Sequence, residues 1–342
     1  MRIQKNECIK LKTYDFFLQS QIAFVKLDCK FTARIKELIN NKYGSIRKFA
    51  DQYNDLNRNT LHAEFYRNQY FRFSRIAKIA KRLGLDLAEL YGSVQYFFAK
   101  GSNTHRKVFL PPKIVVNEKF VEGFALYLAE GDNGSNGYTS PRKVRMVNSE
   151  LSVLKLFQEW LETFFHDNGY YLKIVVPYPK ELSLDHYSFV KNYFELPDTE
   201  IKVVKFCWKR KTDFIYRICC DSSLLVDLIL SLKNQVKSIC MEDKKLAEAY
   251  IRGMMIGEGT VYFNKSRYVR IEMKNESEIK YLARLFDLLG LEYKIFLRSN
   301  RENMWSIYIG AKQLRKYHDK IGFGVHERKQ RILRMAAHKK LK

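Results

Sequence analysis

The sequence predicts an α+β protein in which two αββαββα units stand in tandem behind a small all-α domain. Three observations predict it. "GFALYLAEG" (123–131) and "IRGMMIGEG" (251–259) are both apolar, helix-like stretches with small residues four apart and a terminal Glu-Gly. The same order of helix and strand patterns follows each of them. Residues 31–92 carry helical periodicity throughout.

The chain has 342 residues, enough for two or three domains, and a hydrophobic fraction of 46% that can fill a core. Its 61 Lys+Arg against 37 Asp+Glu leave a net charge of +24. That excess calls for an anionic partner, nucleic acid first. No segment reads as a transmembrane span or a lipid-binding helix. "MRIQKNECIKLKTYDFF" has no apolar signal core, so an intracellular, cytoplasmic protein without a membrane role is expected. Six cysteines without a CxxC pair and seven scattered histidines spell neither a disulfide scaffold nor a structural zinc site. Cys219 and Cys220, in the strand-like "FIYRICC", are expected to be buried small hydrophobes.

Residues 1–30 are mixed in character and take no assignment. Residues 31–92 are expected to be five helices. "FTARIKELINNKYG" has apolar positions Phe31, Ile35, Leu38 and Ile39 and stops at Gly44, and Ser45 can cap "SIRKFADQY". "RNTLHAEFYRNQ", "SRIAKIAKRLGL" and "DLAELYG" follow. The stretch "GSIRKFADQYNDLNRNTLHAEFYR" resembles the helix-turn-helix of phage-repressor-like proteins. The resemblance implies a close helix crossing at Ala50 and a second helix that enters the DNA major groove by its N-terminal end. That end is Arg58, Asn59, Thr60, His62 and Ala63. Arg58 and Asn59 suit guanine and adenine edges, and Thr60 a phosphate or a thymine methyl. Ser45, Arg47 and Lys48 are expected on the DNA backbone. Residues 93–118, with Gly101, Ser102, Asn103 and Pro111-Pro112, are expected to be a linker.

The first unit is expected over 119–240. Helix "NEKFVEGFALYLAEG" leads to strands "GYTS" and "KVRMVN", helix "SELSVLKLFQEWLETFF", strand "YYLKIVVPY", hairpin "IKVVKFCWKRKTDFIYRICC" and helix "SSLLVDLILSLKN". The second unit, 241–342, has helix "MEDKKLAEAYIRGMMIGEG", strands "TVYFNK" and "YVRIEMKN", helix "ESEIKYLARLFDLLG", hairpin "EYKIFLRSNRENMWSIYIG", helix "KQLRKYHDKIGF" and a closing basic helix. Glu130 and Glu258 are 128 residues apart, Asn148 and Asn275 127, and Phe157 and Phe286 129. Ile218 and Ile309 are only 91 apart, which leaves about 37 extra residues in the first unit. A duplication with one insertion accounts for this pattern.

Ala125 and Ala129 are one helical turn apart, as are Gly253 and Gly257. Glycine inside a helix costs roughly 0.5–1 kcal/mol relative to alanine, so close packing of the two helices is its expected reason. Side by side, the helices bring Glu130 and Glu258 together at their C-terminal ends. Gly131 and Gly259 are expected there as left-handed caps. Each carboxylate then meets the negative end of a helix dipole and a like charge, an arrangement that a cation between them would relieve. Oxygen ligands of this kind suit Mg²⁺ or another divalent cation. One Glu-Gly pair is ordinarily a helix stop, but two in register within a duplicated unit ask for more.

These residues resemble the two signature helices of single-chain LAGLIDADG homing endonucleases, and the "AEG" and "GEG" endings resemble the intein-borne and archaeal versions. The resemblance covers about 119–335, including the "KIGF…ERKQ" tail. It implies a monomer with internal pseudo-two-fold symmetry whose saddle of sheets lies over double-stranded DNA. Each acid closing a signature helix would bind divalent metal and cut one strand. Carried over, the metal ligands are Glu130 and Glu258, with the carbonyls of Ala129 and Gly257. The family pairs each acid with a basic residue, for which Lys209 and Lys211 stand in the first unit and Lys294 and Arg298 in the second.

The strands carry Arg145, Lys205, Lys209, Arg210, Lys211, Arg267, Arg270 and Lys274, interleaved with Tyr138, Trp208, Tyr262 and Tyr268. That alternation suits a DNA-facing sheet better than a merely solvated one. Three readings result: a metal-dependent double-strand DNA endonuclease, a non-cleaving transcription regulator on the same fold, and an RNA-binding splicing helper. The two retained acids favour the first.

Overall fold

The computed structural model describes residues 9–99, 109–132, 142–165, 169–206, 213–299 and 301–338. The expected strand "GYTS" with Tyr138, and Trp208, Lys209, Arg210 and Lys211, lie outside the described residues. In the amino-terminal part, β1 (Lys10–Lys12) and α1 (Tyr14–Gln19) precede β2 (Ala23–Leu27). They are followed by α2 (Cys29–Tyr43), α3 (Ile46–Asp51), α4 (Arg58–Ala63), β3 (Phe71–Arg72), α5 (Phe73–Arg82), α6 (Leu87–Gly92), β4 (Val94–Ala99) and β5 (Lys113–Val115).

The five expected helices form. Gly44 ends α2 at φ 78° with its N–H on the Asn40 carbonyl, and the Ser45 hydroxyl accepts from Lys48 N–H to start α3. Asn57 caps α4 by accepting from Thr60 N–H. Ile35, Ile39, Phe49, Ala50, Leu61, Ile76 and Ile79 are buried together.

This part is nevertheless not all-α. β2 is the centre of an antiparallel sheet ordered β3-β2-β4, so residues assigned to the unassigned segment and to the linker supply two of its strands. Ala23, Val25 and Leu27 turn inward and alternate with half-buried neighbours, a period-two pattern only five residues long. Phe17 of α1 stacks on Phe97 of β4 at 3.8 Å between ring centroids. The far end of the expected linker is also structured. β5 pairs antiparallel with β1, and the Thr13 hydroxyl donates to the Pro112 carbonyl at 2.8 Å.

The first unit contains α7 (Glu118–Glu130), β6 (Gly131–Asp132), β7 (Val144–Asn148), α8 (Leu151–Phe165), β8 (Tyr170–Pro177), α9 (Leu184–Phe194), β9 (Ile201–Phe206), β10 (Ile215–Cys220) and α10 (Ser223–Glu242). The second contains α11 (Lys244–Gly257), β11 (Gly259–Phe263), β12 (Arg267–Met273), α12 (Glu276–Leu288), β13 (Lys294–Leu297), β14 (Trp305–Gly310), α13 (Leu314–Lys320) and α14 (Glu327–His338). Their sheets run β6-β7-β10-β8-β9 and β11-β12-β14-β13. The first four strands of one correspond to the four of the other. The matched residues have matched jobs: Asn148 and Asn275 each accept from a backbone N–H at the start of the next helix, and Phe157, Phe286, Ile218 and Ile309 are buried.

The hairpin expected over 201–220 does not form. β9 pairs parallel to β8, while β10 lies on the other side of β8 and pairs antiparallel with it. The insertion, α9 and β9, therefore falls between the third and fourth strands of the unit. β8 and β10 are the true equivalents of the hairpin β13–β14, which does form. Both β9 and β10 are short and apolar-rich without strict alternation, and nothing local says which neighbour each pairs with.

The two units meet along α7 and α11. A Cβ added to Gly253 would lie 2.3 Å from the Glu122 carbonyl oxygen and 2.8 Å from Ala125 Cβ; one on Gly257 would lie 2.7 Å from Ala129 Cβ. The helix backbones are in direct contact, as the small residues require. Gly131 and Gly259 are not left-handed caps. Gly131 is extended at φ −71°, ψ 146°, and Gly259 is not among the glycines with positive φ. Each begins a strand at once, and a Cβ there would strike the carbonyl of Tyr127 at 2.3 Å or of Met255 at 2.4 Å. Space, not dihedral freedom, demands glycine.

Gly253→Ala should therefore destabilise the protein by about 3 kcal/mol, the upper end of overpacking costs. Gly92, whose added Cβ would meet nothing within 4 Å, should tolerate alanine with a change below about 1 kcal/mol. Urea unfolding of the two variants compares them.

Candidate catalytic site and nucleic-acid interface

The close packing of α7 on α11 places the two acids. Glu130 is the last residue of α7, and Glu258 follows directly on α11. Glu130 Cγ lies where a Cβ on Gly257 would be only 2.7 Å away. Burial pushes the Glu130 carboxyl above the ordinary glutamate range, and the Glu258 charge pushes it further, against the pull of Lys329. Burial also raises Glu258, opposed by Lys329. The Glu258 side chain remains exposed, so solvent screens much of that push, and Glu130 is the strained member of the pair.

Lys329 is the residue that sequence reasoning missed. Its ammonium, on α14, donates to the carbonyls of Ile256 at 2.7 Å and Gly257 at 2.9 Å. Burial lowers it to about 8, while Glu130, Glu258 and Glu150 pull it back up. The turn before α14 is pinned by Gln330, whose Oε1 accepts from Phe323 N–H at 2.7 Å, and by Tyr317, which donates to the Gly322 carbonyl at 3.0 Å. The signal was present: Lys329 stands in the helical stripe of the buried Leu333 and Ala336, and a lysine on an apolar stripe needs a partner.

The other basic candidates are placed differently. Arg298 binds Glu272, joined there by Arg270 at 3.3 Å and Arg301 at 3.6 Å. Lys294 is exposed on β13, in register with Tyr308. Among the described residues no third His, Cys, Asp or Glu joins the two acids in a metal-holding group.

Strand register sorts the remaining basic residues. On the first sheet, Arg145, Arg217, Lys173 and Lys202 share the face turned away from Val144, Met146, Ile218 and Leu172. Lys205 points to the other face, lining a groove with Val203, Leu184 and Tyr187 of the insertion. On the second sheet, Arg270 shares its face with Thr260, Tyr262, Tyr268, Tyr308 and Lys294. Tyr262 stacks on Tyr268 at 5.1 Å, and Tyr268 meets Tyr308 at 4.9 Å. Arg267 faces the opposite way and donates to the Ala336 carbonyl of α14. Lys274 is exposed just beyond β12. Cys219 and Cys220 are buried, as expected.

In the amino-terminal part, Arg47, Lys48, Arg58, Asn59 and Thr60 are exposed, and His62 packs on Tyr66 at 4.7 Å. Ser45 and Thr60 already serve the fold. The Ser45 hydroxyl caps α3, and the Thr60 hydroxyl donates to Asn57 Oδ1 at 3.1 Å. Arg58 lies 4.0 Å from Asp51.

Residues 245–322, from the start of α11 through α13, match the family model of the LAGLIDADG-like domain. The second unit carries a LAGLIDADG-like domain. No curated protein matches it. Among solved structures it is similar to I-DmoI in complex with DNA and Mn, with 15% identity, 61% of this chain and 98% of that one covered, and a TM-score of 0.35. It is also similar to mesophilic variants of the homing endonuclease I-DmoI (16% identity, 60% and 91% covered, TM-score 0.38). A third similar structure is full-length DUF199/WhiA from Thermatoga maritima (14% identity, 66% and 63% covered, TM-score 0.35). Among the described residues no helix is long and apolar enough to cross a membrane.

The raised Glu130 has a pH consequence. A carboxyl raised by folding leaves the metal-free protein most stable below the ordinary glutamate range and less stable as pH rises through the raised value. Each pKa unit of such a shift is worth about 1.4 kcal/mol. Glu130→Gln should therefore melt higher than the native protein near pH 8, and the advantage should vanish near pH 4. Thermal melts in chelator across that range check it.

Proposed function

We propose that the chain is a metal-dependent, site-specific double-strand DNA endonuclease of homing-endonuclease type. It acts as a monomer whose two LAGLIDADG units are related by an internal pseudo-two-fold axis. The amino-terminal helix-turn-helix adds a second DNA contact through Arg58 and Asn59. The observation that carries this reading is the convergence of Glu130 and Glu258, a costly like-charge pair that tight helix packing maintains.

The donor set fits a hard divalent cation such as Mg²⁺. Two carboxylates without a third protein acid leave room for the waters and phosphate oxygens that Mg²⁺ keeps around it. The Ala129 carbonyl remains a candidate ligand, whereas the Gly257 carbonyl already accepts from Lys329. When bound, the cation would activate water and stabilise the leaving 3′ oxygen. Glu130 and Glu258 would hold and orient it. Lys329, lowered to about 8 by burial and held beside both acids, can give or take a proton near neutral pH. Lys294 keeps its candidacy for the second unit, and Lys209 and Lys211 theirs for the first.

One observation favours the regulator reading instead. Lys329 already supplies a positive charge to the acids, which a protein that only binds DNA would retain. Incubation with a library of duplexes, with and without Mg²⁺, separates the two. The endonuclease reading expects double-strand ends at a defined sequence only with Mg²⁺. It also expects no ends from Glu130→Gln or Glu258→Gln, while both variants still bind DNA. Bound duplexes without ends from the native protein would favour the regulator. Independently of activity, Mg²⁺ should raise the melting temperature of the native protein and not that of the double glutamine variant.

With a net charge of +24, phosphate contacts should dominate binding. About 8–12 of them would weaken affinity by roughly four orders of magnitude or more between about 50 and 200 mM salt. Arg58→Ala should relax preference at one base pair, at about 1–3 kcal/mol. A flat salt dependence would count against both DNA readings.

A further inference from the structure

The first unit has a strand that its duplicate lacks, and that strand carries charge to the open face of the sheet. β9 adds to the outer edge of β8 in parallel, with Lys202 in register with Lys173. Lys173 is in register with Arg217 of β10, so one row of three cations crosses three neighbouring strands. Arg145 of β7 follows two residues along, opposite Cys219. The row is built rather than incidental. Tyr171, buried on the same face, holds the Lys202 ammonium 4.3 Å and the Lys173 ammonium 5.6 Å from its ring centroid. Its own hydroxyl donates to Asp221 at 3.4 Å. Val204 and Phe206 lie on this face beyond Lys202 and are exposed.

Among the described residues the second unit has no counterpart to this strand. Its sheet ends at β13, and the arginines Arg270, Arg298 and Arg301 are gathered on one carboxylate, Glu272. The two open faces thus differ in width and in how their cations are spread: Lys202, Lys173 and Arg217 form a row, with Arg145 paired to Asp132, where the second unit groups its arginines around one acid. Strands are about 4.8 Å apart, so one more strand carries the cationic row roughly one to two phosphates further along a DNA backbone. Val204 and Phe206 add apolar groups suited to thymine methyls. Lysines at 202 and 205 also discourage another chain from pairing with this edge.

We infer that the inserted strand Ile201–Phe206 lengthens the DNA contact of the first unit, so that the protein covers its duplex asymmetrically about the acid pair. This rests on the DNA-binding reading above. The test is hydroxyl-radical footprinting, in chelator, of a duplex selected from a random library by the full-length native protein. The expected footprint is longer on one flank. Lys202→Ala should remove protection at the outer end of that flank only and shallow the salt slope by about one unit. Lys205→Ala, on the opposite face of the same strand, should leave the footprint unchanged. Because the helix-turn-helix contact protects DNA independently of Lys202, the variant decides: an unchanged footprint in Lys202→Ala would overturn this inference while leaving DNA binding intact. Failure of the native protein to select any duplex would overturn the DNA reading and this inference with it.

Discussion

The structure depends on one contact, the approach of α7 and α11 to backbone distance. Gly253 and Gly257 leave no room for a side chain between the helices, and Ala125 and Ala129 are the largest residues that fit opposite them. That contact joins the two units, aligns their sheets, and brings two carboxylates to one place. The Arg252–Glu122 ion pair at 2.9 Å locks the same interface further up the helices. A buried pair of this sort contributes register more than net stability, since both charges lose solvent to form it. The helices are held close enough for Glu130 to feel the charge of Glu258, which the fold then has to manage.

It manages that charge with α14. Lys329 uses two hydrogen bonds to carbonyls at the end of α11, where the helix dipole is negative, and its ammonium balances the acids. This lysine belongs to the second unit, on α14. On α10 of the first unit, Lys237 is spent instead on Glu278, which also accepts from Tyr250 at 2.7 Å. The duplicated frame therefore surrounds a centre whose two sides are chemically distinct. The insertion makes the sheets unequal as well.

Much of this was legible beforehand because it rests on local or periodic signals. The repeated helices show in small residues four apart, the duplication in Glu130 and Glu258, and the amino-terminal helices in Gly44, Ser45 and their apolar faces. The misreadings share a cause. The sheet through β2 is made of strands of two to six residues drawn from distant parts of the chain. Its alternation is too short to register without the partners that bury it. β9 and β10 look like a hairpin because they are consecutive, yet β8 separates them.

The sequence by itself determined the order of the elements that the two units share, the close helix pair and the two glutamates at its end. These follow from residue size and spacing along a single helix, quantities that need no knowledge of what lies across the fold. Only the tertiary structure decided that Gly131 and Gly259 are required by a carbonyl rather than a dihedral angle. It alone turned Lys205 and Arg267 away from the faces that carry Arg145 and Arg270, and delivered Lys329 to the acids. Each of those outcomes depends on which distant segment packs alongside, and a carbonyl oxygen or a carboxylate exerts its force over a few ångströms of space, however many residues of chain lie between.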